Sequence, residues 1–236
     1  MQGAHNIGVV ATIARVARPN RVIYPLTRPS PEDYSVRSTD ISFAVTVLSQ
    51  YAQNPGKPHW EAVKRVFRYL KTTKNYELTF GLNNNGLHGY TDADHATQQH
   101  YHSISGYVFK MFGGAISWSA KKQPVIALST TEAEYLAATH AAKEAAWIRN
   151  FFEEINQLFA NPIILFCDNQ SAIALTKDGQ YHAHTKQIST RYHFIREMVE
   201  NRVIVLVYCP TTTMVADTLT VATIVRVARP NRVIFR

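Results

Sequence analysis

The sequence predicts a mixed α/β fold, in which three antiparallel strands precede a series of helices and further strands. Residues 87–119 contain three strand-like segments separated by turns, which is typical of an antiparallel meander. Beyond them a long helical pattern covers Thr130–Gln157, and the apolar run Ile163–Cys167 indicates a buried strand. This order of elements predicts one mixed sheet with helices packed on it.

Local signals predict the remaining elements in chain order. Residues 25–38 are rich in Pro, Ser, Arg and Asp, which is typical of a loop or linker. Asp40 is predicted to cap a helix that extends to about Gln53, and Asn54–Pro58 would break it. The apolar face of this helix is Ile41, Ala44, Val45 and Leu48. A second helix is predicted from His59 to about Thr72, and its apolar face is Trp60, Val63, Val66, Phe67 and Leu70. The later predicted elements are the turn Asn83–Gly86, the strands Leu87–Asp94, Ile104–Phe112 and Ala115–Ser119, the helices Asn169–Lys177 and Ser189–Asn201, the strand Val203–Tyr208 and a helical turn near Met214.

Length and composition narrow the functional class. The chain has 236 residues, 46% of them hydrophobic, which suits one large domain or one domain with an appendage. No apolar run is long enough to span a bilayer, and no secretory signal is evident, so we expect an intracellular protein. The two cysteines, Cys167 and Cys209, are expected to be reduced thiols in the core.

The basic charge is concentrated in a repeat at the two ends. A formal net charge of +8 suggests a polyanionic partner. Residues 10–24 recur as residues 221–235 with thirteen of fifteen positions identical, and the six arginines of the two copies account for most of this charge. The copies could be paired strands, two basic arms for nucleic acid, or sequence that flanks an inserted fragment. We favour the last, because neither copy resembles the sequence between them.

Four short acidic motifs occur at predicted strand ends and helix starts. They are Thr91–Asp94, Glu132–Tyr135, Cys167–Gln170 and Ala216–Asp217. Carboxylates from distant segments can share a pocket only with a counter-charge, which for an all-oxygen set is usually Mg²⁺ or Mn²⁺. A carboxylate site that holds two such ions is suited to cutting a phosphodiester.

The position of each acid in its predicted strand or helix indicates different roles for several of them. Asp92 and Asp94 lie two apart on a predicted strand and therefore face the same side. The capping box Ser129–Glu132 gives its glutamate a structural role, whereas capping does not explain Glu134. Asp168 follows a buried strand, where α/β sheets present their sites, although it could instead cap the next helix.

In their order and wording, these motifs resemble the ribonuclease H module that ends the Pol polyprotein of copia-type retrotransposons. The resemblance covers residues 38–220: residues 38–80 are similar to the tail of the reverse transcriptase and residues 81–220 to the nuclease. It implies a ribonuclease H-like fold, with a mixed five-stranded sheet (an antiparallel meander plus parallel strands) flanked by helices and preceded by a small helical connection. Residues 1–37 and 221–236 form basic segments outside the family pattern.

The resemblance also implies an activity and a site. The activity would be metal-dependent hydrolysis of the RNA strand of RNA–DNA hybrids, with two Mg²⁺ or Mn²⁺ ions as cofactors. The catalytic and metal-binding residues would be Asp92, Glu134, Asp168 and Asp217. The candidate contacts to nucleic acid are Lys121, Lys122, Asn169, Gln170, Lys186, Arg191 and Arg196, and the accessory candidates are Asp94, His182 and His184.

The implied partners are the hybrid and a reverse transcriptase in the parent polyprotein, with no membrane and no small-molecule cofactor. The implied location is the nucleus or a cytoplasmic retroelement particle. A structural zinc site is disfavoured, because the histidine spacing matches no familiar ligand set.

The chain departs from the family pattern at several positions. His95 stands where tryptophan is usual, and Gln187 and Ser189 replace a histidine and an aspartate. Val221 stands where a lysine is usual, so the segment that carries Asp217 is expected to be poorly anchored. These departures leave two alternatives open, a non-catalytic nucleic-acid-binding remnant and a decayed element fragment.

Overall fold

The structure, a computed structural model, describes residues 37–74, 80, 86–95, 102–156, 159–177 and 186–220. For residues 37–40 and 186–192 it describes the backbone alone. The chain divides into two compact units: the first contains residues 37–74 and the second is Phe80–Thr220. Both copies of the basic repeat lie outside the described residues.

No helix among the described residues combines the length and the apolarity needed to cross a membrane.

The first unit contains two helices, α1 (Arg37–Ser49) and α2 (Lys57–Thr72). Helix α1 begins before its predicted cap, so the prediction that Asp40 is the N-cap is wrong. That residue lies in the first turn, where the helix dipole still favours an acid. Helix α2 follows Gly56, and Pro58 is tolerated in its first turn because an amide there would have no acceptor within the helix.

Each of these two helices buries one face. The predicted apolar face of α1 is buried, together with Phe43. Helix α2 buries Ala62, Val63 and Val66, whereas Phe67, which was predicted on its apolar face, is 46% exposed. Adjacent helical residues lie about 100° apart around the axis, so the position after Val66 points away from the centre of the buried stripe.

The second unit is built on a five-stranded mixed sheet. Its strands are β1 (His88–Asp94), β2 (Ile104–Met111), β3 (Gly114–Lys122), β4 (Ile163–Cys167) and β5 (Ile204–Tyr208), in the order β3-β2-β1-β4-β5. The first three strands pair antiparallel, and β4 pairs parallel with both β1 and β5. The predicted combination of a meander with parallel strands is therefore confirmed, and β1 is the central strand.

Helices α3 (Thr130–Glu154), α4 (Gln170–Lys177) and α5 (Lys186–Glu200) complete this unit. A row of alanines on α3 is fully buried, which lets the helix approach the sheet closely: Ala133, Ala137, Ala138, Ala141, Ala142 and Ala145. Phe109 of β2 and Leu165 of β4 have no exposed surface and belong to the same core cluster. The core therefore lies between α3 and the sheet and fixes the start of α3 relative to β1.

Two short 3₁₀ helices, Thr211–Thr213 and Val215–Leu219, follow β5. The second lies where a final helical turn near Met214 was predicted, and it contacts β1 and β2. Ala216 and Leu219 have no exposed surface. The expectation that this segment is poorly anchored is therefore wrong, because these two apolar side chains are held in the interior.

Candidate active site

Asp92 lies on the central strand β1, with only 7% of its surface exposed. It is paired in register with Gly106 of β2. Burial raises the pKa of its carboxyl group, a hydrogen bond donated by the Thr220 hydroxyl lowers it, and the nearby Asp168 raises it again. The sheet thus holds this carboxylate in a dry position, beside another acid.

Glu134 lies near the start of α3, where the neighbouring glutamate is used for capping. Ser129 is the N-cap and its Oγ accepts a hydrogen bond from the Glu132 amide at 3.1 Å, while Glu132 Oε2 accepts from the Leu128 amide at 2.7 Å. The glutamate thus reaches back one residue beyond the N-cap amide used in a standard capping box. Glu134 takes no part in this cap.

The Glu134 side chain is instead buried at the site, with 6% of its surface exposed. Burial, together with the charges of Asp92 and Asp168, raises its pKa to about 9. Its Oε2 is buried and has no hydrogen-bond partner among the described residues. A buried acceptor without a donor is costly, so this oxygen is suited to a cation ligand.

Asp168 directly follows β4 and is half-buried. Its Oδ2 accepts a hydrogen bond from the Thr211 hydroxyl at 2.7 Å. The next residue caps α4, since Asn169 Oδ1 accepts from the Ala172 amide at 3.0 Å. The alternative role of Asp168 as the helix cap is therefore unnecessary. One ligand atom each from Glu134, Cys167 and Asp168 lie within 4.8 Å of one another.

Asp217 lies in the second 3₁₀ helix and is partly exposed. Burial raises its pKa to about 6, and the charges of Asp92 and Asp168 act in the same direction. The packing of its 3₁₀ helix against β1 and β2 therefore brings the fourth predicted acid within electrostatic range of the others.

The donor set fits hard divalent cations. Among the described residues, the ion pairs join Lys64 with Glu61 and Arg149 with Glu153, and none neutralises the four clustered acids. Burial raises the pKa of the Cys167 thiol to about 12, so without a bound ion the thiol is neutral and the carboxylate oxygens are the anionic ligand atoms. Such all-oxygen sites suit Mg²⁺ or Mn²⁺.

The other predicted site residues that the structure describes lie on several elements of the second unit. Asp94 ends β1 on the same face as Asp92, and Gln170 is exposed at the start of α4. Lys121 and Lys122 lie at the end of β3, and Arg196 of α5 has buried Nε and Nη2 atoms without hydrogen-bond partners in the described part of the chain. For Lys186 and Arg191 only the helical backbone is described, and His182 and His184 lie outside the described residues.

Sequence reasoning did not identify the two threonine hydroxyls at the site. Thr211 and Thr220 each donate a hydrogen bond to one carboxylate of the cluster. Thr220 follows Asp217 by three positions, so it belongs to the same short segment as that predicted acid. Nothing in the sequence around Thr211 distinguishes it from its two threonine neighbours.

Comparison with known proteins gives the family of this chain. No family model matches it. The retrovirus-related Pol polyprotein from transposon TNT 1-94 of Nicotiana tabacum is 48% identical over 182 residues, which are 77% of this chain and 14% of that polyprotein. The chain therefore spans about one seventh of the length of this relative. Among solved structures, an RNase H1 isolated from compost aligns with 57% of this chain and 92% of its own, at 19% identity and a TM-score of 0.43.

A shorter relative matches about half of the chain. The secreted RxLR effector protein 161 of Plasmopara viticola is 48% identical over 115 residues, which are 48% of this chain and 81% of that protein. The match to the tobacco polyprotein is longer, and two Arabidopsis thaliana Pol polyproteins match at 38% identity over 183 residues. The second unit has a ribonuclease H-like fold, and the chain belongs to the retrovirus-related Pol polyproteins of copia-type transposons.

Proposed function

We propose that this chain is a metal-dependent ribonuclease H that hydrolyses the RNA strand of RNA–DNA hybrids. The observation that carries the proposal is the convergence of Asp92, Glu134, Asp168 and Asp217, whose charges act on one another without a neutralising cation among the described residues. Such a cluster is costly unless cations bind to it. The orphan Oε2 of Glu134 supports the same conclusion.

The carboxylates of Asp92, Glu134, Asp168 and Asp217 would hold two Mg²⁺ or Mn²⁺ ions. When bound, two such ions supply an activated water and stabilise the leaving 3′ oxygen. The threonine hydroxyls would orient the carboxylates, since Thr220 donates to Asp92 and Thr211 donates to Asp168. Asp94 is a candidate neighbour of the cluster, and His182 or His184 is a candidate for proton transfer or product release.

The proposed substrate follows from the family and from the basic residues near the site. Minor-groove contacts to successive 2′-hydroxyls would identify the RNA strand. The residues proposed to contact nucleic acid are Lys121, Lys122, Asn169, Gln170, Lys186, Arg191 and Arg196. A reverse transcriptase in the parent polyprotein is the proposed protein partner, with residues 38–80 as its tail and residues 81–220 as the nuclease. The proposed location is the nucleus or a cytoplasmic retroelement particle.

Cleavage of an end-labelled hybrid in Mg²⁺ and in EDTA tests this proposal. We expect cleavage of the RNA strand in Mg²⁺ alone, and its loss in Asp92→Asn and Glu134→Gln. Glu132→Gln is the matched control, because it changes a neighbouring acid that caps α3 and should leave cleavage intact. A folded wild-type chain that binds the hybrid but leaves it uncut in Mg²⁺ and Mn²⁺ would favour the non-catalytic remnant, a reading that the departures at His95, Gln187 and Ser189 support.

A further inference from the structure

The thiol of Cys167 lies beside two of the clustered acids but is not one of the proposed magnesium ligands. Cys167 ends β4 and has no exposed surface. Its Sγ, one carboxylate oxygen of Glu134 and one of Asp168 all lie within 4.8 Å of one another. The three atoms therefore surround a single point between β4 and the start of α3. We call these three residues the thiol site.

The fold leaves these ligand atoms available to a cation. Glu134 is 6% exposed, and its buried Oε2 has no hydrogen-bond partner among the described residues. The Cys167 thiol donates to the Asn169 carbonyl over 3.9 Å, which is a long and weak contact. Asp168 is half-buried, so it connects the thiol site to solvent. Because an unpartnered buried oxygen is costly, an ion that coordinates Glu134 removes that cost.

One thiol and two carboxylates suit a different ion from a set of four carboxylates. Mg²⁺ takes oxygen ligands in an octahedral shell, whereas Zn²⁺ binds cysteine sulfur and carboxylate oxygen in a tetrahedral shell. Ligand atoms in such a tetrahedral shell lie roughly 3.5 Å apart, so side-chain shifts of about 1 Å would close the thiol site around an ion. Sulfur ligands favour Zn²⁺ over Mg²⁺ and Mn²⁺.

We propose that Glu134, Cys167 and Asp168 bind one Zn²⁺ ion, and that this ion excludes Mg²⁺ from the carboxylate cluster. As the zinc–sulfur bond forms, the thiol proton passes to solvent, and a water completes the four ligands. Glu134 and Asp168 are also proposed magnesium ligands, so the two kinds of ion compete for them. Zinc binding is independent of the proposed function, whereas inhibition of cleavage by zinc rests on it.

Titration with Co²⁺ in oxygen-free buffer, followed by absorbance, tests the sulfur ligand without the reaction. A thiolate bound to Co²⁺ gives a charge-transfer band in the near ultraviolet that oxygen ligands do not give. The chain has two cysteines, so Cys209→Ala leaves Cys167 as its one thiol. Cys209 is the matched control, because it is buried in a separate cluster with Met214 and Ala216. We expect the band in the wild-type chain and in Cys209→Ala, and its loss in Cys167→Ala.

Competition measurements then give the preference of the site for Zn²⁺. Zn²⁺ should remove the cobalt band at nearly stoichiometric concentration, whereas Mg²⁺ should remove it only in large excess. Against a chromophoric chelator, Cys167→Ala should bind Zn²⁺ more weakly by at least about 10–100-fold, which is the typical cost of losing even an indirect contact to a metal. Glu132→Gln should keep the wild-type affinity, and circular dichroism should give the same folded spectrum for all variants.

The outcomes separate zinc binding from nuclease function. A folded wild-type or Cys209→Ala chain without the cobalt band would overturn the proposal, as would a Cys167→Ala chain that binds Zn²⁺ as tightly as wild type. In the cleavage assay, Zn²⁺ should stop the reaction of the wild-type chain in Mg²⁺, and continued cleavage with Zn²⁺ bound would overturn the exclusion of Mg²⁺. A chain that gives the cobalt band but leaves the hybrid uncut in Mg²⁺ alone would contradict only the nuclease function.

Discussion

The hydroxyl of Thr220 donates a hydrogen bond to Asp92 Oδ2 and joins two residues that are 128 positions apart in the chain. Thr220 is 1% exposed and Asp92 is 7% exposed, so water does not readily replace this contact. The bond ties the end of the second 3₁₀ helix to the central strand. It therefore couples the orientation of Asp92 to the segment that carries Asp217.

We predict that Thr220→Val impairs the proposed nuclease. Valine keeps the shape of threonine but removes the donor, so the Asp92 carboxylate loses the hydrogen bond that opposes its raised pKa. Loss of a group that orients a metal ligand typically costs about 10–100-fold in metal affinity or activity. Hybrid cleavage measured over a range of Mg²⁺ concentrations would report both effects.

Two control substitutions distinguish the loss of this hydrogen bond from general damage to the segment that contains the second 3₁₀ helix. Thr220→Ser keeps a hydroxyl and should retain most of the activity. Thr218→Val removes a hydroxyl that donates to the Val215 carbonyl at 3.0 Å, so it should change cleavage little. If Thr220→Val cleaved as well as these two variants, the hydrogen bond would have no role in the site.

We predict that Gly106→Ala displaces Asp217. A Cβ at position 106 would lie 2.8 Å from Leu219 Cβ, 2.9 Å from Thr220 Cγ2 and 3.3 Å from the Ala216 carbonyl oxygen. These neighbours belong to the second 3₁₀ helix and to the residue that follows it, so the segment must move away from β2. We expect at least a tenfold loss of Mg²⁺-dependent cleavage, because small misplacements of catalytic groups are costly.

Gly86→Ala is the control for this prediction, because nothing lies within 4 Å of a Cβ built there. It should retain wild-type cleavage and stability. Gly106→Ala should also lose some stability, since overpacking typically costs about 1–3 kcal/mol. Full activity in Gly106→Ala would mean that the position of Asp217 is not needed for cleavage.

The sequence predicted the sheet and its helices because their patterns are long and local. The segments of β1–β3 are bounded by turn signals, and the alanine-rich α3 has a cap signal at its start. The distinction between Glu132 and Glu134 was also predictable, since capping depends on positions a few residues apart. The structure agrees, with the first at the N-terminus of α3 and the second buried beside Asp92.

Contacts between distant segments were not predictable in the same way. The donation from Thr211 to Asp168 and the grouping of His140 and Lys143 with Lys121 depend on which elements pack together. From the sequence alone, a lysine on a helix cannot be distinguished from an ordinary solvated charge. Its position beside the end of a strand depends on the tertiary fold. The start of α1 was misjudged for a different reason, because several polar residues before Asp40 are also compatible with a helical first turn.

We predict that His140→Gln reduces the loss of stability in acid. The pKa of His140 is about 4 in the folded chain and about 6.5 when unfolded, so the unfolded chain binds more protons between these values. Stability from the neutral imidazole is present above pH 6.5 and is lost as the pH falls towards 4. Urea unfolding at pH 7.5 and 5 should therefore give a smaller difference for the variant, by about 1–3 kcal/mol.

For Glu134 we expect the opposite dependence of stability on pH, and measurements on the metal-free protein should reveal it. Its pKa is about 9 in the fold and about 4.5 when unfolded, so the folded chain binds the proton more tightly. This contribution is fully present below pH 4.5 and is lost as the pH rises towards 9. In EDTA at pH 8, Glu134→Gln should be more stable than wild type, by up to several kcal/mol, because folding of the wild-type chain requires this carboxylate to take up a proton, whereas the amide is already neutral. Addition of Mg²⁺ should stabilise the wild-type chain and leave the variant nearly unchanged.

Thermal unfolding at pH 5 and pH 8, with and without Mg²⁺, measures both effects, and Glu132→Gln serves as the control outside the cluster. A Glu134→Gln chain less stable than wild type at pH 8 in EDTA would show that this carboxylate is not under repulsion from Asp92 and Asp168.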